Sequence, residues 1–354
     1  MITENNQSRN LIYWIEKSTA RMLSIERCDA ARINRSRIMT DRHRIDVHQH
    51  VVPPFWADAL PAHGGDPSGW RSPAWSPESA LAFMDSLQIQ TGVLSLTAPG
   101  VQGWNGHARR DMARRINEYV AGLVAQWPAR FGNFATLPLP DVDGTLAEID
   151  HVFDALYADG VVLLSNYGGT YLGDAAFEPV WAALDRRRAV VFIHPAKPAI
   201  DMLPGIPGPL LDYPFDTTRT ALQLVLNGVI ARYPNVRIIL SHAGGFLPYA
   251  AYRFAELAPG VRDDVPDRDG LLDLLRRFYF DTALSAPSAL PSLAAFAQPD
   301  RVLYGSDFPY APASVGTSFT AALDAYAALD ADRHAAINRA NALPLFPRLA
   351  ALAR

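Results

Sequence analysis

"GVVLLS" at residues 160–165 and "AVVFIH" at 189–194 are short, β-branched and apolar almost without a break. A strand with one wet face alternates apolar and polar residues, whereas a strand covered on both faces does not. Both stretches therefore read as buried parallel strands, which require a crossover between them. Similar runs recur on either side: "RIDVH" (44–48), "TGVLSL" (91–96), "GNFATL" (132–137), "VRIILSH" (236–242), "FYFDTA" (278–283) and "RVLYGSD" (301–307). Helical spacing appears in "GTLAEIDHVFDAL" (144–156) and in "TTRTALQLVLNGVIARY" (217–233). The second keeps Ala221, Leu222, Val225, Leu226 and Val229 on one face. Eight such units over residues 44–354 predict an α/β protein of the (β/α)8, or TIM, barrel type. Pro53, Pro138, Pro195 and Pro309 fall just beyond strand ends, where they stiffen loops without removing ladder bonds.

Composition narrows the function classes. The chain has 354 residues and a formal net charge of −4, which gives no footing for nucleic acid. Its one cysteine, Cys28, rules out an intramolecular disulfide and leaves nitrogen and oxygen as the ligands for any metal. No apolar run approaches the ~20 residues needed to span a bilayer, and a reducing cytoplasm is the expected compartment. Residues 1–43 are Arg-rich and lack a secretory apolar core. They are expected to be a poorly ordered extension. Met39 sits just before the organised region, so a start site placed too far upstream would explain residues 1–38, with an organelle-targeting peptide as the alternative.

A barrel keeps its chemistry where its strands end. His48 and His50 leave the first strand on one side, because alternate side chains of a strand share a face. The fifth strand ends in His194, the sixth in His242 and the eighth in Asp307. Ser95, Thr97, Thr136, Asp281 and Thr282 lie at the ends of the second, third and seventh. Each alone has a plainer reading: a strand-end histidine is commonly a hydrogen-bonded core group, and Asp307 before Phe308 could cap the next segment. All of them at one mouth point instead to a divalent cation held by imidazoles and a carboxylate.

"DVHQH", "FIHP", "SHAGG" and "YGSDFP", in this order, resemble the metal-dependent amidohydrolase superfamily. More narrowly, they resemble its amidohydrolase-2 branch, which holds the amino-carboxymuconate-semialdehyde, salicylate and resorcylate decarboxylases. "WRSPAW" (70–75), "SLTAPG" (95–100) and "PFDTTR" (214–219) are most similar to the 6-methylsalicylate decarboxylase type. The resemblance implies a barrel of the metal-dependent hydrolase type, with His48, His50, His194 and Asp307 as metal ligands. It implies His242 beside them as a proton-handling group, and Arg253 reaching into the neighbouring subunit of a homodimer. The plainer reading of Arg253 is a solvated helix charge. Binuclear members of the superfamily carry a modified lysine at the end of the fourth strand, where this chain has Ser165 and Asn166. One divalent metal is therefore expected, Zn²⁺ first and Mn²⁺ second.

Such a site supports two reactions. It can make hydroxide for hydrolysis of a lactone or cyclic amide, or it can chelate an aromatic carboxylate for loss of CO2. Phe55, Trp56, Trp70, Trp75 and Trp104 in the first two loops favour a flat ring. Some of these tryptophans would instead cover helix faces. The expected activity is non-oxidative decarboxylation of a small aromatic acid such as an ortho-hydroxybenzoate. Asp307 and His242 are expected to share the proton, with Trp75, Trp104 and Arg253 contacting substrate. Hydrolysis on the same scaffold is the alternative, and a non-catalytic binding barrel a third reading.

Overall fold

The structure, a computed structural model, describes residues 44–352; the expected extension at 1–43 lies outside them. Eight parallel strands pair in chain order. They are β1 (Arg44–His50), β2 (Ile89–Ser95), β3 (Phe131–Thr136), β4 (Gly160–Leu164), β5 (Val190–His194), β6 (Arg237–Leu240), β7 (Tyr279–Asp281) and β8 (Val302–Leu303). The expected (β/α)8 barrel is what forms. Its last seam is irregular. Beyond β8, Val47 N donates to Tyr304 O at 3.0 Å, Asp307 N to His48 O at 2.8 Å, and His50 N to Phe308 O at 2.7 Å. These bonds tie the segment carrying Asp307 directly onto the strand carrying both histidines.

Boundaries differ from expectation in ways that matter for the site. β6 and β8 are shorter than their apolar runs suggest, so His242 and Asp307 lie on loops rather than on strands. Both have a left-handed backbone, with φ of 52° and 63°. Such conformations are costly for non-glycine residues and collect at functional positions. The helix expected over 217–233 begins earlier, at Asp212, and ends at Leu226. Gly228, at φ 73°, breaks it from a short helix Val229–Arg232, because glycine accepts the left-handed turn that ends a helix.

Inside the barrel, Ile45, Val47, Val93, Phe134, Val162, Phe192 and Ile239 form one buried cluster with Leu345, Phe346 and Leu349 near the chain's end. Phe134 and Phe192 stack at 5.4 Å, and Phe192 meets His48 edge-on at 4.9 Å. Phe192 thus packs the interior and supports the site. Phe192→Ala is expected to cost about 3–5 kcal/mol. Denaturant unfolding would read this as a lower midpoint at unchanged slope.

Candidate metal centre

Strand order brings residues more than 250 positions apart to one point. His48 and His50 come from β1, His194 from the end of β5, and Asp307 from the loop after β8; one ligand atom of each lies within 4.8 Å of the others. His48 Nε2 is 3.1 Å from His50 Nε2. Asp307 Oδ1 lies 3.0 Å from His50 Nε2 and 3.2 Å from His48 Nε2. The four residues are fully buried or nearly so. Two imidazole nitrogens and a carboxylate oxygen crowding one buried point is the donor set of a divalent cation.

The far side of each ring supports this assignment. His48 Nδ1 donates to Asp281 Oδ2 at 2.8 Å. His50 Nδ1 faces Ser95 Oγ at 3.0 Å, and His194 Nδ1 donates to the Pro195 carbonyl at 2.9 Å. With Nδ1 protonated, each Nε2 lone pair is left for a cation, and a partner on the second nitrogen fixes both tautomer and ring orientation. Burial lowers the His50 and His194 pKa values, which keeps them in the neutral form that can coordinate. For His48 burial acts in the same direction, but the carboxylates of Asp281 and Asp307 outweigh it and raise the value to about 10. Burial likewise opposes ionisation of Asp307. The neighbouring His48, His242 and His50 nonetheless hold it well below the usual carboxylate range. A cation entering here replaces a proton that this pair of carboxylates has already attracted.

His242 stands beside this group. Its Nε2 is 3.4 Å from Asp307 Oδ2, and its backbone N–H donates to Asp281 Oδ1 at 2.9 Å. Asp281 therefore holds the ring of one site histidine and the backbone of another. Its strand-end position was legible in the sequence, but this double role was not, because it depends on β7 lying between β6 and β8.

At the end of β4, Ser165 Oγ donates to Asp216, and Asn166 Nδ2 donates to Asp216 Oδ2 at 2.8 Å. Ala196 N also donates to Ser165 Oγ at 2.9 Å. These groups knit the loops after β4 and β5 to the helix Asp212–Leu226. They stand where a bridging lysine would be needed for a second metal.

A cleft of about 460 Å³ opens among the loops at this end, bordered by Ala98, Gln102, Asn166, Lys197 and Tyr213. The Tyr213 ring is 6.3 Å from that of His194, and Tyr310 lies 5.5 Å from His50. Neither tyrosine was anticipated. Tyr310 follows Asp307 by three residues and was the easier one to find. Trp104 is buried and stacks on His63 at 4.3 Å, and His63 borders the cleft. Trp75 is half-buried against the outer core cluster, with an indole N–H that has no partner among the described residues. Arg253 is exposed on the helix Leu247–Leu257.

The amidohydrolase family profile matches residues 45–348. A 6-methylsalicylic acid decarboxylase of Aspergillus aculeatus is 44% identical over 318 residues, covering 86% of this chain and 96% of that one. A decarboxylase of Aspergillus niger is 43% identical over 322 residues, with 86% and 88% covered. Among solved structures, 5-carboxyvanillate decarboxylase from Sphingomonas paucimobilis superposes with a TM-score of 0.77 at 26% identity, covering 87% of this chain and 99% of that chain. With a matched profile over most of its length, a barrel of the same shape and four converging ligands, this chain belongs to the amidohydrolase family.

Proposed function

We propose that the protein is a metal-dependent, non-oxidative decarboxylase of a small ortho-hydroxylated aromatic acid of the 6-methylsalicylate type. The observation that carries this reading is the convergence of His48, His50, His194 and Asp307, with His242 at 3.4 Å from Asp307. The named activities of relatives above 40% identity support it. We take Zn²⁺ as the first candidate ion and Mn²⁺ as the second, since three imidazoles and a carboxylate accept both. Bound there, the ion supplies a Lewis-acidic anchor for the substrate's carboxylate and adjacent hydroxyl.

The chain's own groups then handle the proton. Asp307 Oδ2 takes a proton from His242 Nε2 and delivers it to the ring carbon that bears the carboxylate. The ring loses aromaticity at that step. Cleavage of the carbon–carboxylate bond returns its electron pair to the ring, restores aromaticity and releases CO2. Buried surroundings strengthen every charge interaction along this path. Incubation of the metal-loaded protein with 6-methylsalicylate should give CO2 and 3-methylphenol in equal amounts. No CO2, together with hydrolysis of a lactone or cyclic amide, would overturn the reading in favour of the hydrolase.

A homodimer is part of the same proposal. Tyr249, Arg253 and Leu257 follow one another at i, i+4 spacing, and Tyr249 and Leu257 are 81% and 56% exposed. That apolar stripe around a charge suits a subunit contact carrying Arg253 to the other protomer's cleft. Mixing Arg253→Ala protein with His194→Ala protein, each inactive alone, should restore activity through mixed dimers. If Arg253 acts within its own barrel, mixing restores nothing. We take the cytoplasm as its location, with which a chain of one cysteine and no intramolecular disulfide is compatible.

A further inference from the structure

The opposite end of the barrel carries a feature that the reaction does not use. A cleft of about 270 Å³ is lined by Arg188, Arg237, Arg277 and Arg301, with Asn235 and Tyr279 between them. Each arginine sits at or just before the start of β5, β6, β7 or β8. His194 lies six residues beyond Arg188, roughly 20 Å along the strand at ~3.3 Å per residue. The cleft and the metal centre are therefore separate sites.

Other arginines at this end are matched to carboxylates. Arg44 pairs with Asp324 at 2.7 Å, Arg130 with Asp85 at 2.7 Å, and Arg348 with Asp159 at 2.8 Å. The four in the cleft have no ion pair among the described residues. Arg277 donates to the carbonyls of Ile230 (2.6 Å) and Pro234 (3.0 Å). Arg301 donates to Gln298 Oε1 at 3.0 Å and to the Arg277 carbonyl, and lies over the Tyr279 ring at 4.8 Å. Arg237 donates to the Pro344 carbonyl at 3.3 Å and to no other acceptor among the described residues. Arg188 makes no side-chain hydrogen bond among the described residues. Burial, and then the like charge of Arg301, lowers the Arg277 guanidinium from its ordinary range, with Asp185 offsetting part of this. Asp185 itself accepts hydrogen bonds from Asn235. A chain with net charge −4 thus keeps four cationic groups together around a cavity, with Asp185 as the nearby acid and no ion pair to any of the four among the described residues.

We propose that this cleft binds a small multivalent phosphoryl anion of the pyrophosphate class. A guanidinium presents paired N–H donors that match phosphoryl oxygens. Arg277 and Arg301 are already held in place by backbone acceptors, so little ordering is needed when the anion arrives. A monovalent anion would leave most of the charge uncompensated. The cleft of about 270 Å³ has room for two phosphoryl groups and the oxygen that bridges them.

The test is calorimetric titration of the full-length, metal-loaded protein with sodium pyrophosphate at constant ionic strength. The parallel sample is the double variant Arg188→Ala/Arg237→Ala. Those two side chains hold little else in place, so the fold should persist, and decarboxylation should continue at the parent rate. Saturable binding that weakens at least about tenfold in the double variant is expected, together with a pyrophosphate-dependent rise in Tm that is clearly larger in the parent at the same concentration. Extraction of the catalytic metal by pyrophosphate would affect both proteins alike, so the difference between them reports on the arginine cleft. Equal binding by both proteins, or no saturable binding by the parent, overturns the proposal.

Discussion

Asp307→Asn is expected to lower turnover of 6-methylsalicylate by roughly 10²–10⁴-fold, with the barrel still folded. Asparagine matches aspartate in size and is among the few residues that tolerate the left-handed backbone at this position, where φ is 63°. The Asp307 N–H bond to the His48 carbonyl, and with it the closure of the barrel, should persist. What disappears is charge. His48 Nε2 and His50 Nε2 lose the anionic oxygen at 3.2 and 3.0 Å. His242 loses the carboxylate through which its proton would pass. Under the proposed roles the carboxylate is both ligand and proton carrier, so saturating metal should restore occupancy without restoring rate. Circular dichroism and Tm near the parent values, with kcat measured at saturating metal, would establish the separation. A fully loaded variant turning over within tenfold of the parent would refute the role given to Asp307.

Much of this site was legible because its ligands occupy strand ends and the barrel brings all strand ends to one mouth. His48, His50 and His194 needed only correct strand boundaries and parallel order, both set by uninterrupted apolar runs. His242 and Asp307 were harder to place, since they lie on loops in backbone conformations that periodicity cannot report. Asp281 shows the limit most clearly. A reading along the chain finds an acid at the end of an apolar run. Only the lateral order of β6, β7 and β8 reveals that this acid faces an imidazole on β1 and an amide after β6. Tryptophans illustrate the converse: Trp104 has the right residue type in the right loop, yet packs beneath His63 with 3% exposure. Composition identifies aromatic residues near a mouth; packing decides which of them present a face to it.

Asp281→Asn should separate positioning from chemistry. The carboxylate accepts three hydrogen bonds: from His48 Nδ1 at 2.8 Å, and from the backbone N–H groups of His242 and Ala283 at 2.9 Å each. Asparagine can keep its carbonyl oxygen towards the two amides, because turning the side chain over would leave both unsatisfied in a fully buried setting. Its NH2 then faces His48 Nδ1, where the native protein has an acceptor. A donor there favours the other tautomer of His48, with the proton on Nε2 and no lone pair directed at the cation. Metal affinity is accordingly expected to fall by roughly 10–100-fold, read by competition with a chromophoric chelator. Activity at limiting metal should drop with it. Unlike Asp307→Asn, this variant should regain much of its kcat as metal is raised, since Asp307 and His242, the proposed proton path, remain in place. Unchanged metal affinity would mean that Asp281 does not set the His48 tautomer. A kcat that stays low at full occupancy would instead assign Asp281 to the proton path itself.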